Sequence, residues 1–135
     1  EALLEAADSD VAEVRVAAIS ALGDQIQKSD DLRAKNRVFQ ALDDSPAEVR
    51  AEAVTLIGKS CDAEDVENML SRKLVDQDTQ VRKNTAMALM KLEAFNTIES
   101  IEAAKSTEKD KSVQAVFNVA INILSRDLEE KQESE

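Results

Sequence analysis

A Val-Arg pair recurs along this chain, and the recurrence constrains the fold more than any other feature. It stands at Val14-Arg15, Val49-Arg50 and Val81-Arg82, and Val113-Gln114 continues the series, at spacings of 35, 32 and 32 residues. Each Val is followed at the fourth residue by Ala18, Ala53, Thr85 or Phe117. At the seventh come Ala21, Leu56, Ala88 and Ala120, and at the eighth Leu22, Ile57, Leu89 and Ile121. These offsets trace one face of a helix with 3.6 residues per turn. A helix repeated in register at such a period is the signature of a repeat architecture.

The starts of the helices agree with this. Ser45-Pro46-Ala47-Glu48 reads as a helix start, with Ser as cap, Pro at the first helical position and Glu reaching back to the cap amide; Asp10-Val11-Ala12-Glu13 has the same logic. Asp78 and Asp110 are expected to cap the third and fourth helices. Gly23 and Gly58, nine residues after their Val, are expected at left-handed helix ends. Between copies there is room for one further helix, expected near Ser29–Asp43, Asp62–Val75 and Asn96–Lys105. Each helix pair exposes an apolar face that only a neighbouring pair can cover. The expected fold is therefore all-α, a right-handed α-solenoid of stacked antiparallel helix pairs. Residues 1–126 form one domain, with a partial first unit at 1–8 and repeats starting near 10, 45, 78 and 110. The acidic stretch 127–135 is expected to be a disordered tail.

The pattern Val-Arg-x-x-Ala-x-x-Ala/Leu-Leu/Ile-Gly, with an acidic turn such as Asp43-Asp44-Ser45-Pro46 before it, resembles HEAT repeats. The short period is similar to the HEAT-like, armadillo-like variety found in phycobilin lyases. The resemblance implies that the arginine of each copy packs against an acid of an adjacent turn, with Asp43 or Asp44 and Asp76 or Asp78 as partners. It also implies that the second helix of each pair lines a concave groove. On that basis the candidate partner-binding residues are Arg33, Arg37, Gln40, Glu67, Ser71, Arg72, Glu99 and Glu102. A phosphate-binding role for Arg15, Arg50 and Arg82 is the weaker alternative, because a residue that recurs with the repeat serves the repeat.

Composition narrows the function. The net charge of −11 opposes contact with phosphate backbones and anionic lipid, so neither nucleic acid nor membrane is an expected partner. The chain has no His, Trp or Tyr, which removes the commonest general base and metal ligand and most base-stacking groups. Cys61 is the one cysteine, a turn residue without a base to activate it. The carboxylate clusters recur at helix starts and lack the calcium-loop pattern. No catalytic residue, cofactor or metal site is assigned. The expected function is a non-catalytic scaffold that binds a protein in its groove or at an open end. Self-association through the N-terminal side is a further expectation, and the cytoplasm is the default compartment. An enzyme accessory like the phycobilin lyases is the alternative, and a nucleic-acid-binding module is disfavoured by charge. Gln114, Asn118 and Asn122 are expected to make the fourth copy a cap, with Phe117 closing the core.

Overall fold

Acidic side chains over free backbone N–H groups set where several helices begin. In the computed structural model, which describes residues 2–135, the regular elements are helical. They are α1 (Ala2–Ala7), α2 (Ala12–Ser29), α3 (Leu32–Gln40), α4 (Ala47–Ser60), α5 (Ala63–Ser71), α6 (Thr79–Lys91), α7 (Ile98–Thr107) and α8 (Lys111–Glu133). Asp31 caps α3 by accepting from the N–H groups of Arg33 and Ala34. Asp78 accepts from Val81 N at 3.1 Å, and Asp110 from Ser112 N at 2.8 Å and Val113 N at 3.1 Å. These carboxylates satisfy donors that a helix start leaves without an intrahelical partner. Asp10 does not cap α2. Val11 stands at its boundary, held by Ser9 Oγ at 3.1 Å. The first two intervening helices are shorter than expected, since Ala41–Asp43 and Arg72–Val75 are 3-10 turns, while the third keeps its expected length but starts two residues later, after the 3-10 turn Phe95–Thr97.

The chain divides into two compact units, one up to Ser60 and one from Cys61 to Glu135. In the first, α2 packs against α1, α3 and α4. Its core holds Ile19, Leu22, Val38, Leu42, Val49, Ala53, Val54 and Ile57, all buried. Most of the repeated positions are therefore core positions; Ala21 is half-buried and Val14 is 41% exposed.

The two glycines correct the sequence reading. Neither adopts a positive φ, and both lie buried inside helices, because α2 runs on to Ser29 and α4 to Ser60. The left-handed positions are Asp30 (φ 54°), next after α2, and Glu93 (φ 55°), beyond α6. Gly23 instead permits close approach of helices. A Cβ there would lie 2.7 Å from Leu56 Cδ2 and 3.2 Å from its Cδ1.

In the second unit α6 packs on α5 and α8, and α7 on α8. Val66, Leu70, Leu74, Val81, Leu89, Ile101, Val113, Phe117, Ala120 and Leu124 form its core. Two buried hydroxyls among them are satisfied locally, Thr85 by Val81 O and Thr97 by Ala94 O, each at 2.7 Å. Phe117 is fully buried, while Asn118 and Asn122 are exposed.

The acidic stretch expected to be disordered is helical, for α8 continues to Glu133. Its residues are good helix formers. Leu128 lies four residues beyond Leu124 and is half-buried, and Lys131 Nζ sits 5.5 Å from the centre of the Phe95 ring. A cation over an aromatic face is attracted by the ring quadrupole. The apolar stripe of α8 thus extends one turn further than the charge pattern suggested.

Phe117→Ala should destabilise the protein by about 3–5 kcal/mol in urea unfolding, the cost of emptying a buried aromatic site. Gly23→Ala gains about 1 kcal/mol of helix propensity but meets overpacking of about 1–3 kcal/mol against Leu56. The net effect should be destabilising, and should reverse to stabilising in a Leu56→Ala background. A double-mutant cycle measures that reversal.

Candidate functional site

The most patterned polar residues close the turn that precedes their own helix. Arg15 Nη1 donates to Ser9 O at 2.7 Å, Arg50 Nη1 to Asp44 O at 3.0 Å, and Arg82 Nη1 to Asp76 O at 2.8 Å. Gln114 Nε2 makes the corresponding bond to Glu108 O at 2.5 Å. In all four copies the acceptor is the carbonyl six residues earlier. The amide of Gln114 therefore reproduces the backbone tie, although the sequence shows only a break in the arginine row.

The remaining guanidinium edge of two arginines forms a bidentate pair. Arg15 Nε and Nη2 donate to Asp44 Oδ2 and Oδ1, both at 2.9 Å. Arg82 Nε and Nη2 donate to Glu108 Oε1 at 2.7 Å and Oε2 at 2.9 Å. Such fork-on-fork geometry is the strong form of a charged hydrogen bond. Acids at this turn position also accept backbone N–H groups. Asp76 Oδ1 takes the N–H of Asp78 at 2.9 Å, and Glu108 Oε2 that of Asp110 at 3.1 Å. The residue at that offset from Asp44 is Pro46, which has no N–H to offer.

Asp44 was among the acids expected to pair with the row; Glu108 was not. Its signal was in the repeat, since Ser9, Asp44, Asp76 and Glu108 all stand six residues before the aligned Arg or Gln. Burial pushes the Glu108 carboxyl up, but hydrogen bonds from Arg82 and the Asp110 N–H outweigh it and hold the group below its ordinary range. The hydrogen bond to Asp44 raises the Arg15 guanidinium. Asp110 is lowered, first by the Ser112 hydroxyl and then by the Val113 N–H it caps. With Nε, Nη1 and Nη2 all engaged, Arg15 and Arg82 are braces of the fold.

The residues expected to line a groove fall into two groups. In the first unit Arg33, Arg37 and Gln40 share a face of α3. Arg33 and Gln40 are exposed. Arg37 is half-buried, with Nε on Asp8 Oδ1 at 2.9 Å and Nη2 on the Ala7 carbonyl. It fastens α3 to the end of α1.

In the second unit Glu67 accepts from Asn96 Nδ2 at 3.2 Å, and the Ser71 hydroxyl donates to Glu67 O at 2.7 Å. Arg72 is exposed at the start of a 3-10 turn. Glu99 and Glu102 are exposed on α7 and line a cleft of about 610 Å3 with Phe95, Asn96, Ile98, Ser125, Leu128, Glu129 and Gln132. Apart from Ser125, the α8 lining of this cleft lay in the stretch expected to be disordered, so the sequence reading missed it. The Leu124–Leu128 spacing is the signal that marks it. A smaller cleft, of about 250 Å3, has Arg82 and Glu108 in its lining and the exposed Val75 beside them.

Cys61 is half-buried. Among the described residues no group of three or more His, Cys, Asp or Glu side chains is placed to hold a metal ion, and no helix is long and apolar enough to cross a membrane.

Arg82→Ala should cost about 2 kcal/mol, because it removes charged hydrogen bonds and leaves Glu108 without its partner. Arg82→Gln should cost about 1 kcal/mol less, since Gln can make the tie that Gln114 makes; urea midpoints of the two variants decide this. A carboxyl lowered by folding contributes stability that is complete above its ordinary pKa and is lost as pH falls through the lowered one. Stability should therefore drop on acidification through that window, and Glu108→Gln should flatten the drop when urea midpoints are followed against pH.

A family model of HEAT repeats matches residues 35–122. The bilin biosynthesis protein MpeU of Synechococcus sp. (strain WH8020) is 41% identical over 114 residues, covering 84% of this chain and 38% of that protein. The chain thus spans well under half the length of this relative. The crystal structure of an engineered protein from the Northeast Structural Genomics Consortium matches with a TM-score of 0.62 at 21% identity, over 92% of this chain and 61% of that one. That likeness is one of fold.

Proposed function

This chain belongs to the HEAT-repeat family, an α-solenoid class, and from that premise we propose that it is a protein-binding module that holds a partner and performs no chemistry of its own. The observation that carries the reading is how the polar residues are divided. The repeated Arg and Gln side chains are turned to the carbonyl six residues back in every copy, where they build the fold. Exposed polar side chains on the second helices, among them Arg33 and Gln40 on α3 and Glu99 and Glu102 on α7, provide the surface for recognition. Arg37 stands apart from this set, because its contacts to Asp8 and Ala7 serve α1 and α3.

The relative named for bilin biosynthesis favours a setting for that partner. In this reading the module serves bilin chemistry as an accessory, presenting a protein that receives or carries the pigment. Direct catalysis on a bilin is the second reading, and the same relative supports it.

Size-exclusion chromatography of the full chain with extract of its source cells, followed by capture, tests the proposal. A defined protein should co-elute, and Arg33→Glu with Gln40→Glu or Glu99→Lys with Glu102→Lys should weaken its retention by about fivefold or more. A chain that retains no protein, yet shifts the visible absorbance of a free bilin on mixing, would overturn the scaffold reading in favour of the second.

A further inference from the structure

We propose that the cleft between the start of α7 and the end of α8 is the seat of a short cationic amphipathic segment of another protein. This rests on the protein-binding reading above and names the chemistry of the partner. The floor of the cleft is apolar. Phe95, Ile98 and Leu128 line it, each half-buried rather than covered. Its rim is anionic, with Glu99, Glu102 and Glu129 all exposed. None of these three carboxylates is ion-paired among the described residues.

The contrast with the arginine braces is informative. Where this chain uses acids for its own fold, they are paired or capping, as Asp44, Glu108 and Asp110 are. The cleft acids are not ion-paired in this way, although Glu99 also lies in the first turn of α7.

Charge selects the occupant. A phosphate or carboxylate ligand would meet three negative charges at the rim, and a second copy of this chain would bring a net charge of −11. Lys or Arg side chains complement the rim and an apolar side chain covers the floor. This is the helix-in-groove mode, in which apolar anchors supply affinity and charges supply register. The spacing suits a helix. Glu99 and Glu102 lie three apart on one face of α7, and Leu128 and Glu129 are adjacent on α8, so one wall presents carboxylates while the other presents both anchor and charge. Lys131, seated over Phe95, can turn out to solvent when a cationic side chain takes the ring face.

The probe is a short fluorescein-labelled amphipathic helix of Leu and Lys, titrated with the full chain by fluorescence anisotropy at physiological ionic strength. The chain should bind it, and the Leu-to-Ser form of the peptide should bind at least about fivefold more weakly. The triple variant Glu99→Gln, Glu102→Gln, Glu129→Gln should lose about fivefold or more in affinity, in keeping with three rim pairs. Removing the same charge elsewhere, by Glu5→Gln, Glu48→Gln and Glu64→Gln, should change it by less than about twofold. All these glutamates are exposed, so circular dichroism and the melting temperature should stay those of the parent.

Failure of the chain to bind the peptide, equal losses in the two triple variants, or displacement of the peptide by a free bilin would each overturn the proposal. Such a failure is separable from failure of the protein-binding reading. A co-eluting partner that survives the cleft substitutions but is lost on changing Arg33 and Gln40 leaves that reading in place while removing the cleft.

Discussion

The hydrogen bond from an aligned side chain to the carbonyl six residues before it is the constraint on which the rest of this structure depends. A turn between two helices leaves carbonyl groups that no intrahelical donor reaches. By satisfying one of them from the first turn of the following helix, Arg15, Arg50, Arg82 and Gln114 fix the angle at which that helix departs. The adjoining Val then falls into the core at Val49, Val81 and Val113. At Arg15 and Arg82 the free edge of the guanidinium reaches the acid of the next such turn. One side chain thus sets a local angle and joins two successive turns.

Much of this was legible in the residues, and the parts that were not have physical reasons. Periodicity of 3.6 exposed the repeated helices because their buried face is written four times over. Asp78 and Asp110 were readable as caps because an acid before an apolar run has few other uses. Gly23 was misread because glycine serves both for left-handed turns and for tight packing, and only the position of Leu56 across from it tells the two apart. The acid at position 108 was missed because it lies outside the helical pattern, in a turn whose sequence varies among Ser9, Asp44, Asp76 and Glu108.

The candidate surface was legible to a smaller degree. Arg37 shares its helix face with Arg33 and Gln40, and nothing in the spacing says that a carbonyl of α1 lies within its reach. Glu99 and Glu102 were found on one wall of a cleft whose other wall is α8. That wall was hidden by composition. A run of acidic residues reads as solvated chain, yet Leu128 and Lys131 give α8 enough hold on Phe95 and its neighbours to remain helical. Helix propensity and this contact act together on these residues, and the charge run shows neither.

Gln114 carries a consequence for how such chains can be assembled from parts. An arginine at this position creates an obligation downstream, as Arg15 does for Asp44 and Arg82 for Glu108. Exchange the following segment for one without an acid there, and a guanidinium edge loses its counter-charge. Glutamine makes the backbone bond and stops. In a grammar of interchangeable repeats, the arginine copy dictates an acid in its successor, while the glutamine copy asks its neighbour for no counter-charge.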